Sequence, residues 1–245
     1  MSIVFITLCQ GATEEITPEF ADAPIIDGIL GSEWDGANTT NTALEDLLIT
    51  LRVMQDNTNL YVSIEFDLDP LYRNDTEFIG ILISNSSSSS SKDFIDAKIV
   101  RFTNLTNGEY VYLDCYVDNF NPKHNDTNLI FDGNGAAKMY DSDTIIYEFS
   151  MPIDNSDDND DVFLEYGSRY AFNITYGDWE LYPRGVIKSH NVLVDIQDPL
   201  PSESNFTEIV LFILSIVFFS CIGAFLVFYS YKIIILKKKI GRLIG

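Results

Sequence analysis

Residues 60–66 read Leu-Tyr-Val-Ser-Ile-Glu-Phe, and this stretch decides the fold class of the chain. Every second side chain is large and apolar, which is the two-residue period of a β-strand with one buried face. Residues 111–117 and 170–176 repeat the alternation. Clusters of Asn, Asp, Gly and Ser separate such runs and favour turns, because they tolerate positive φ and hydrogen-bond their own backbone. The pattern predicts an all-β domain, an antiparallel β-sandwich of jelly-roll or immunoglobulin-like type.

Further strand-like segments surround this stretch, and no helical period of useful length appears before residue 208. The additional predicted strands are Leu47–Met54, Glu77–Ser84, Phe94–Phe102, Asn128–Asp132, Ala136–Tyr140 and Thr144–Met151. Together they predict one sandwich domain over residues 23–194. Cys115 alternates in phase with Leu113 and Val117, so we expect it to be a small buried hydrophobic side chain.

Residues 209–231 form an uncharged apolar run near the C-terminus. As a helix rising about 1.5 Å per residue, the run would span roughly 35 Å, more than the ~30 Å hydrocarbon core of a bilayer. A helix also satisfies its own backbone hydrogen bonds, which lipid cannot do. The run therefore predicts a transmembrane helix over residues 208–232. Cationic side chains follow it, namely Lys232, Lys237, Lys238, Lys239 and Arg242.

The charge distribution sets the expected topology and location. Basic flanks stay in the cytoplasm, so we expect residues 233–245 to form a cytoplasmic tail and the N-terminal domain to lie outside the cell membrane. Residues 195–207 are the expected juxtamembrane linker. The short apolar segment within residues 1–12 is interpreted as the remnant of a signal peptide. The net charge is −22 and all 37 acidic residues precede residue 209, which argues against nucleic acid as a partner.

Seven Asn-X-Ser/Thr sequons are typical of an exported glycoprotein. They begin at Asn38, Asn74, Asn85, Asn104, Asn125, Asn173 and Asn205.

Residues 24–37 read Pro-Ile-Ile-Asp-Gly-Ile-Leu-Gly-Ser-Glu-Trp-Asp-Gly-Ala and resemble the opening signature of the family 9 carbohydrate-binding modules, which are related to DOMON domains. Later motifs follow in an order similar to that family: Asp-Asn-Thr-Asn-Leu-Tyr-Val at 56–62, Phe-Asp-Leu-Asp-Pro at 66–70, Tyr-Glu-Phe-Ser-Met-Pro at 147–152 and the segment 167–174. The resemblance implies a β-sandwich that binds carbohydrate. Because Trp is usually largely buried, we expect Trp34 of the first motif to lie in the core.

The same resemblance directs attention to the second tryptophan, because sugar-binding members of that family stack a sugar between Trp rings. With Trp34 assigned to the core, Trp179 is the stacking candidate, and its neighbours supply rings and hydrogen-bonding groups. Packing of Trp179 on the edge of the sandwich is an equal alternative. The expected ligand-binding residues are Tyr176, Trp179, Glu180, Tyr182 and Arg184.

No cofactor is expected other than calcium. The acidic run 154–161 places oxygen-bearing side chains at alternate positions, from Asp154, Ser156, Asp158 and Asp160, as calcium ligands often are. The expected ligands are Asp154, Asp158 and Asp160, although a solvated loop explains the same composition. Haem is the alternative that the DOMON relationship implies. Its candidate axial ligands are Met54, His124 and His190, but no Cys-x-x-Cys-His attachment motif is present.

The chain carries no recognisable catalytic motif, since it has two His and no Gly-x-Ser-x-Gly elbow. We therefore expect a non-catalytic, membrane-anchored extracellular protein that binds carbohydrate, with a glycan or another envelope component as its partner. Two alternatives stay open: a haem-binding electron-transfer domain of DOMON type, and a structural or adhesive surface protein without a small ligand.

Overall fold

The structure is a computed structural model. It describes residues 14–84, 93–118, 121–125, 132–153, 164–181, 185–200 and 203–244. The chain divides into two compact units, residues 1–199 and residues 200–245. The expected signal-peptide remnant at residues 1–12 lies outside the described residues.

The first unit contains thirteen β-strands in its described part. They are β1 (Glu14–Ile16), β2 (Glu19–Phe20), β3 (Asn38–Leu44), β4 (Leu47–Gln55), β5 (Asn59–Asp67), β6 (Glu77–Ser84), β7 (Phe94–Asn104), β8 (Glu109–Asp118), β9 (Asn121–Asn125), β10 (Asn134–Met139), β11 (Thr144–Pro152), β12 (Arg169–Asp178) and β13 (Ile187–Asp195). Hydrogen-bonded neighbours follow the order β10-β11-β5-β4-β3-β13-β12-β6-β7-β8-β9. These pairs are antiparallel, whereas β1 joins β13 and β2 joins β4 in parallel. The predicted antiparallel all-β sandwich is confirmed.

The core lies between the two halves of this nearly closed sheet. Val62 and Phe149 from one half are completely buried in the same cluster as Ile81 and Phe172 from the other. The apolar face predicted for residues 60–66 points into this core. The burial of large aliphatic and aromatic side chains is what holds the halves together, at roughly 1.5–3 kcal/mol for each fully buried side chain.

A second apolar layer covers the opposite face of β6, β7 and β8. It contains Phe78, Leu82, Ile99 and Leu113, together with Cys115, which is 2% exposed as expected for a buried thiol. Burial and the neighbouring Asp114 carboxylate raise the pKa of Cys115 to about 12, so the thiol stays protonated. β6 is therefore buried on both faces, unlike an ordinary edge or surface strand.

The strand boundaries differ from the sequence prediction in several places. β1 and β2 extend the sheet before the predicted boundary at residue 23, because Glu14–Ile16 pairs with β13. β3 and β13 were not predicted, and most of the predicted strand Asn128–Asp132 lies outside the described residues. The sequon residue Asn173 is 6% exposed, and its amide donates to Ser189 O at 2.7 Å. Its side chain is therefore hydrogen-bonded within the sheet and is not exposed to solvent.

The second unit contains the helix α1 (Glu203–Ile244). Within it, Ile209–Ile240 is long and apolar enough to cross a membrane, and the side chains of this stretch are not buried in the protein. The helix begins before residue 208 and continues beyond residue 232. Part of the expected linker and the expected tail are therefore helical.

Candidate functional site

Trp179 follows directly after β12 and begins a short 3-10 helix, Trp179–Leu181. Its backbone N–H donates to Thr76 O at 3.0 Å. Asp178 Oδ1 accepts from Thr76 Oγ1 at 2.6 Å and from Glu180 N at 3.0 Å. These bonds hold the 3-10 helix against the segment that leads into β6, so the indole is carried by a fixed backbone.

The indole of Trp179 is partly buried against the second apolar layer, and Val186 packs against the same layer. The Phe78 ring meets it nearly perpendicularly, with centroids 5.5 Å apart. The Arg101 guanidinium lies over it, 4.9 Å from the ring centroid, which is a cation–π contact. Arg101 reaches this position because β7 pairs it with Phe78 on β6 and with Val111 on β8. An aromatic ring and a fixed cation are thus presented together.

The other predicted ligand-binding residues do not all join this surface. Glu180 is exposed next to Trp179. Tyr176 lies in the interior: its ring packs on Phe66 with centroids 4.7 Å apart, and its hydroxyl donates to Glu77 Oε2 at 3.1 Å. Burial and the Glu77 carboxylate raise the pKa of Tyr176 well above its ordinary value. Tyr182 and Arg184 lie outside the described residues.

A polar cleft of about 560 Å³ adjoins the segment that holds Trp179. Three chain segments form it: the connection from β5 to β6, the turn between β7 and β8, and the end of β10 with the turn that follows. Its lining combines hydrogen-bonding and apolar side chains. The lining residues are Pro70, Arg73, Asn74, Asp75, Leu105, Thr106, Met139 and Ser142. The sequence analysis missed this cleft, which no single segment contains.

One residue of the cleft lining, Arg73, forms a buried ion pair with Glu77. Arg73 Nη1 donates to Glu77 Oε1 at 2.7 Å, and both side chains are nearly inaccessible to solvent. Glu77 also accepts from the hydroxyls of Tyr147 and Tyr176, each at 3.1 Å. Arg73 further donates to the backbone carbonyls of Phe66 and Asp143. These bonds use both oxygens of Glu77 and both terminal nitrogens of Arg73, and they hold this part of the cleft lining in place, although Arg73 Nε has no hydrogen-bond partner among the described residues.

Exposed rings lie in the same connections that form the cleft. Tyr72 is 70% exposed in the 3-10 helix Pro70–Tyr72, whose first turn is capped by Asp69 accepting from Leu71 N at 2.9 Å. Tyr140, 73% exposed, follows Met139 of the cleft lining. Exposed rings beside amide, hydroxyl and carboxylate groups suit a ligand with an apolar face and several hydroxyls.

Met54, a candidate haem ligand, is completely buried in a cluster with Trp34 and Tyr61. His190 is exposed, and the side chain of His124 is not described. The calcium candidates Asp154, Asp158 and Asp160 lie outside the described residues. Within the described part of the chain, no group of three or more His, Cys, Asp or Glu side chains is arranged to hold a metal ion.

Trp34 is 4% exposed, as expected, and packs with Met54 and Tyr61. In the same motif, Asp27 Oδ1 accepts from Ile29 N at 2.9 Å. The motif is therefore structural in this chain and is distinct from the Trp179 surface.

No protein-family model matches the sequence, and no curated protein matches it. Solved structures do match the fold. Two are structures of a family 9 carbohydrate-binding module from Caldicellulosiruptor kristjanssonii. The complex with cellotriose has a TM-score of 0.44 at 14% identity, over 76% of this chain and 95% of that one. The complex with glucose has a TM-score of 0.45 at 15% identity, over 77% of this chain and 98% of that one.

Proposed function

We propose that this protein is a non-catalytic, carbohydrate-binding protein of the cell surface, anchored by α1 with its sandwich domain outside the cell. The binding surface consists of Trp179, Arg101 and the adjoining polar cleft. The apolar stretch Ile209–Ile240 supports the anchor, and the cationic residues near the C-terminus support a cytoplasmic tail.

The observation that carries the proposal is the stacked pair of Trp179 and Arg101, since the Trp179 backbone is hydrogen-bonded to Thr76, which follows the cleft residue Asp75 in sequence. The exposed part of the indole offers an apolar surface for the C–H face of a sugar ring. The guanidinium offers planar N–H donors for hydroxyl oxygens, and the stacking restricts its side-chain freedom before the ligand arrives. Asn74, Asp75 and Thr106 in the cleft add acceptors and donors for further hydroxyls.

The ligand is proposed to lie in the cell's own envelope. Only residues 196–202 separate β13 from α1, which is too short a tether to reach past a thick surface layer. Inserting a flexible Gly/Ser segment after residue 199 tests this point in intact cells. Unchanged or reduced capture of envelope glycan agrees with it, and capture that rises steadily with insert length contradicts it.

Binding is tested by titration calorimetry on the full chain in detergent, first with glucose and cellotriose and then on a glycan array. The array is run with calcium and with a chelator, because Asp154, Asp158 and Asp160 are proposed to bind calcium. We expect saturable binding to at least one glycan. Absence of binding to the whole array in both conditions would exclude the proposed function.

Variants identify the surface. Trp179→Ala and Arg101→Gln should each weaken binding about tenfold or more. An aromatic contact contributes about 0.5–1.5 kcal/mol beyond the apolar area that it buries, and a hydrogen bond from a charged donor contributes about 1.5–3 kcal/mol. Leu48→Ala is the control, because Leu48 is 66% exposed on β4, outside the proposed surface. Equal affinity of Trp179→Ala and the control would place the ligand elsewhere.

A further inference from the structure

Lys98 and Asp114 face each other directly across the pairing of β7 and β8. Lys98 Nζ lies 2.5 Å from Asp114 Oδ1, and the two side chains are 4% and 0% exposed. Lys98 is on the face of β7 that carries the core residues Val100 and Phe102. A lysine amine and a carboxyl group are therefore held in contact inside the protein, away from water.

Two further described groups lie next to this lysine–aspartate pair. Asp96, also completely buried, places Oδ2 3.3 Å from Lys98 Nζ. On the other side, the backbone N–H of Asp132 donates to Asp114 Oδ2 at 3.0 Å. The Asp114 carboxyl group thus has the amine at one oxygen and a hydrogen-bond donor at the other, with a second carboxyl group beside the amine.

We propose that Lys98 and Asp114 condense without an enzyme to form an isopeptide bond between Nζ and Cγ, with Asp96 carrying the proton. Burial disfavours both charged forms, so the ammonium can pass its proton to a carboxylate and leave a neutral amine beside a neutral acid. A neutral amine is the nucleophile, and fixed contact with the acid replaces a bimolecular encounter.

The step balances within the protein. The Nζ lone pair attacks Cγ, and the negative charge that develops on Oδ2 is stabilised by the Asp132 N–H. Asp96 accepts a proton from nitrogen and delivers it to the Oδ1 hydroxyl, which leaves as water. One N–H and one C–O bond break, one C–N and one O–H bond form, and Asp96 returns to its starting state. No oxidant or cofactor takes part.

Such a bond would cross-link two neighbouring strands of a domain in whose described part Cys115 forms no disulfide. A cross-link stabilises a fold chiefly by restricting the unfolded chain, as a disulfide does.

Peptide mapping tests the bond directly. The full chain is denatured, enzymatically deglycosylated and digested with trypsin, which cuts after Arg101, between the two residues. With the bond, the fragment 93–101, uncut at Lys98, stays joined to the fragment 102–123, at their combined mass less one water. Separate fragments from the wild-type protein would overturn the proposal and leave an ion pair only.

Variants test the chemistry. Asp114→Asn should give a joined product of the same mass as the wild type, because ammonia leaves in place of water. Asp114→Ala and Lys98→Arg should give separate fragments, and joined fragments in either would overturn the assignment of the linked residues. Asp96→Asn should slow joining by about a hundredfold or more, since a positioned proton carrier contributes roughly 10²–10⁴-fold to the rate. Joining at the wild-type rate in Asp96→Asn would overturn the role given to Asp96.

Discussion

Glu148 Oε2 accepts a hydrogen bond of 2.7 Å from the backbone N–H of Gly28, which is 120 positions away in the sequence. The N–H of Asp27 donates to the same oxygen at 2.9 Å. Glu148 is completely buried on β11. The Asp-Gly turn and the Tyr-Glu strand, which the sequence presents as separate motifs, are therefore two halves of one contact between an N-terminal loop and the sheet.

This contact predicts a stability that depends on pH. Burial raises the pKa of Glu148 from 4.5 to about 7, even though the two N–H groups act in the opposite direction. Between these values the folded protein binds more protons than the unfolded chain, so the contribution of Glu148 to stability is complete at low pH and is lost as the pH rises to about 7. Glu148→Gln, which is always neutral, should remove this decline.

The measurement is the free energy of unfolding across that pH window. Glu180→Gln serves as the control, because Glu180 is exposed. Identical pH slopes in Glu148→Gln and wild type would show that Glu148 does not titrate in this range.

Gly28 and Gly108 form a matched pair for testing the same loop. Both have positive φ, +78° and +69°. A Cβ added at Gly28 would lie 2.6 Å from Lys138 N, whereas one at Gly108 would meet nothing within 4 Å. We expect Gly108→Ala to cost about 1 kcal/mol from the left-handed backbone alone. Gly28→Ala should cost roughly 1–3 kcal/mol more because it overpacks the contact with β10. Equal losses in urea unfolding would contradict the crowding at Gly28.

The two tryptophans should respond differently to truncation. Trp34→Ala should cost about 3–5 kcal/mol, the usual loss for a core aromatic side chain. Trp179→Ala should cost clearly less, because its ring is only partly buried, and of the two tryptophans only Trp179 should contribute directly to glycan binding. Thermal denaturation of both variants checks the first part. An equal fall in Tm would mean that Trp179 is a core residue and that the binding surface is wrongly placed.

Orientation in the membrane is tested on sealed cells that carry an epitope tag after Gly245. Added protease should remove the acidic N-terminal domain and leave the tag intact, because the cationic end of α1 favours the cytoplasmic side. Loss of the tag in cells whose membranes remain sealed would contradict the proposed topology.

The alternating strands could be predicted because large apolar side chains recur at every second position, as in β5 and β12. β3 was missed because its sequence, Asn-Thr-Thr-Asn-Thr-Ala-Leu, has no alternation of large apolar side chains and contains two Asn, which favour turns. It forms a strand because β4 pairs with every one of its residues and because Leu44 is completely buried. Tertiary pairing here overrides local preference.

The candidate site was predictable only in part. Trp179 could be selected because the chain has just one other tryptophan. Tyr176 lies on the same face of β12 as Phe172 and Ile174, so the alternation of the strand alone places its side chain in the core. Its closeness in sequence to Trp179 was therefore a poor reason to include it in the binding surface. Arg101 could not be predicted, since it reaches Trp179 through the pairing of β6 with β7. The cleft could not be predicted, since its lining comes from loops that are distant in sequence.

Asn74 is exposed, lines the cleft and begins an Asn-Asp-Thr sequon. A sugar chain attached there would stand in the mouth of the proposed binding site and compete with any free ligand. The choice of expression host therefore belongs to the binding experiment itself. Material from a host that does not glycosylate asparagine reports on the open cleft, whereas a saccharide attached to Asn74 in a glycosylating host would occupy the cleft during the measurement.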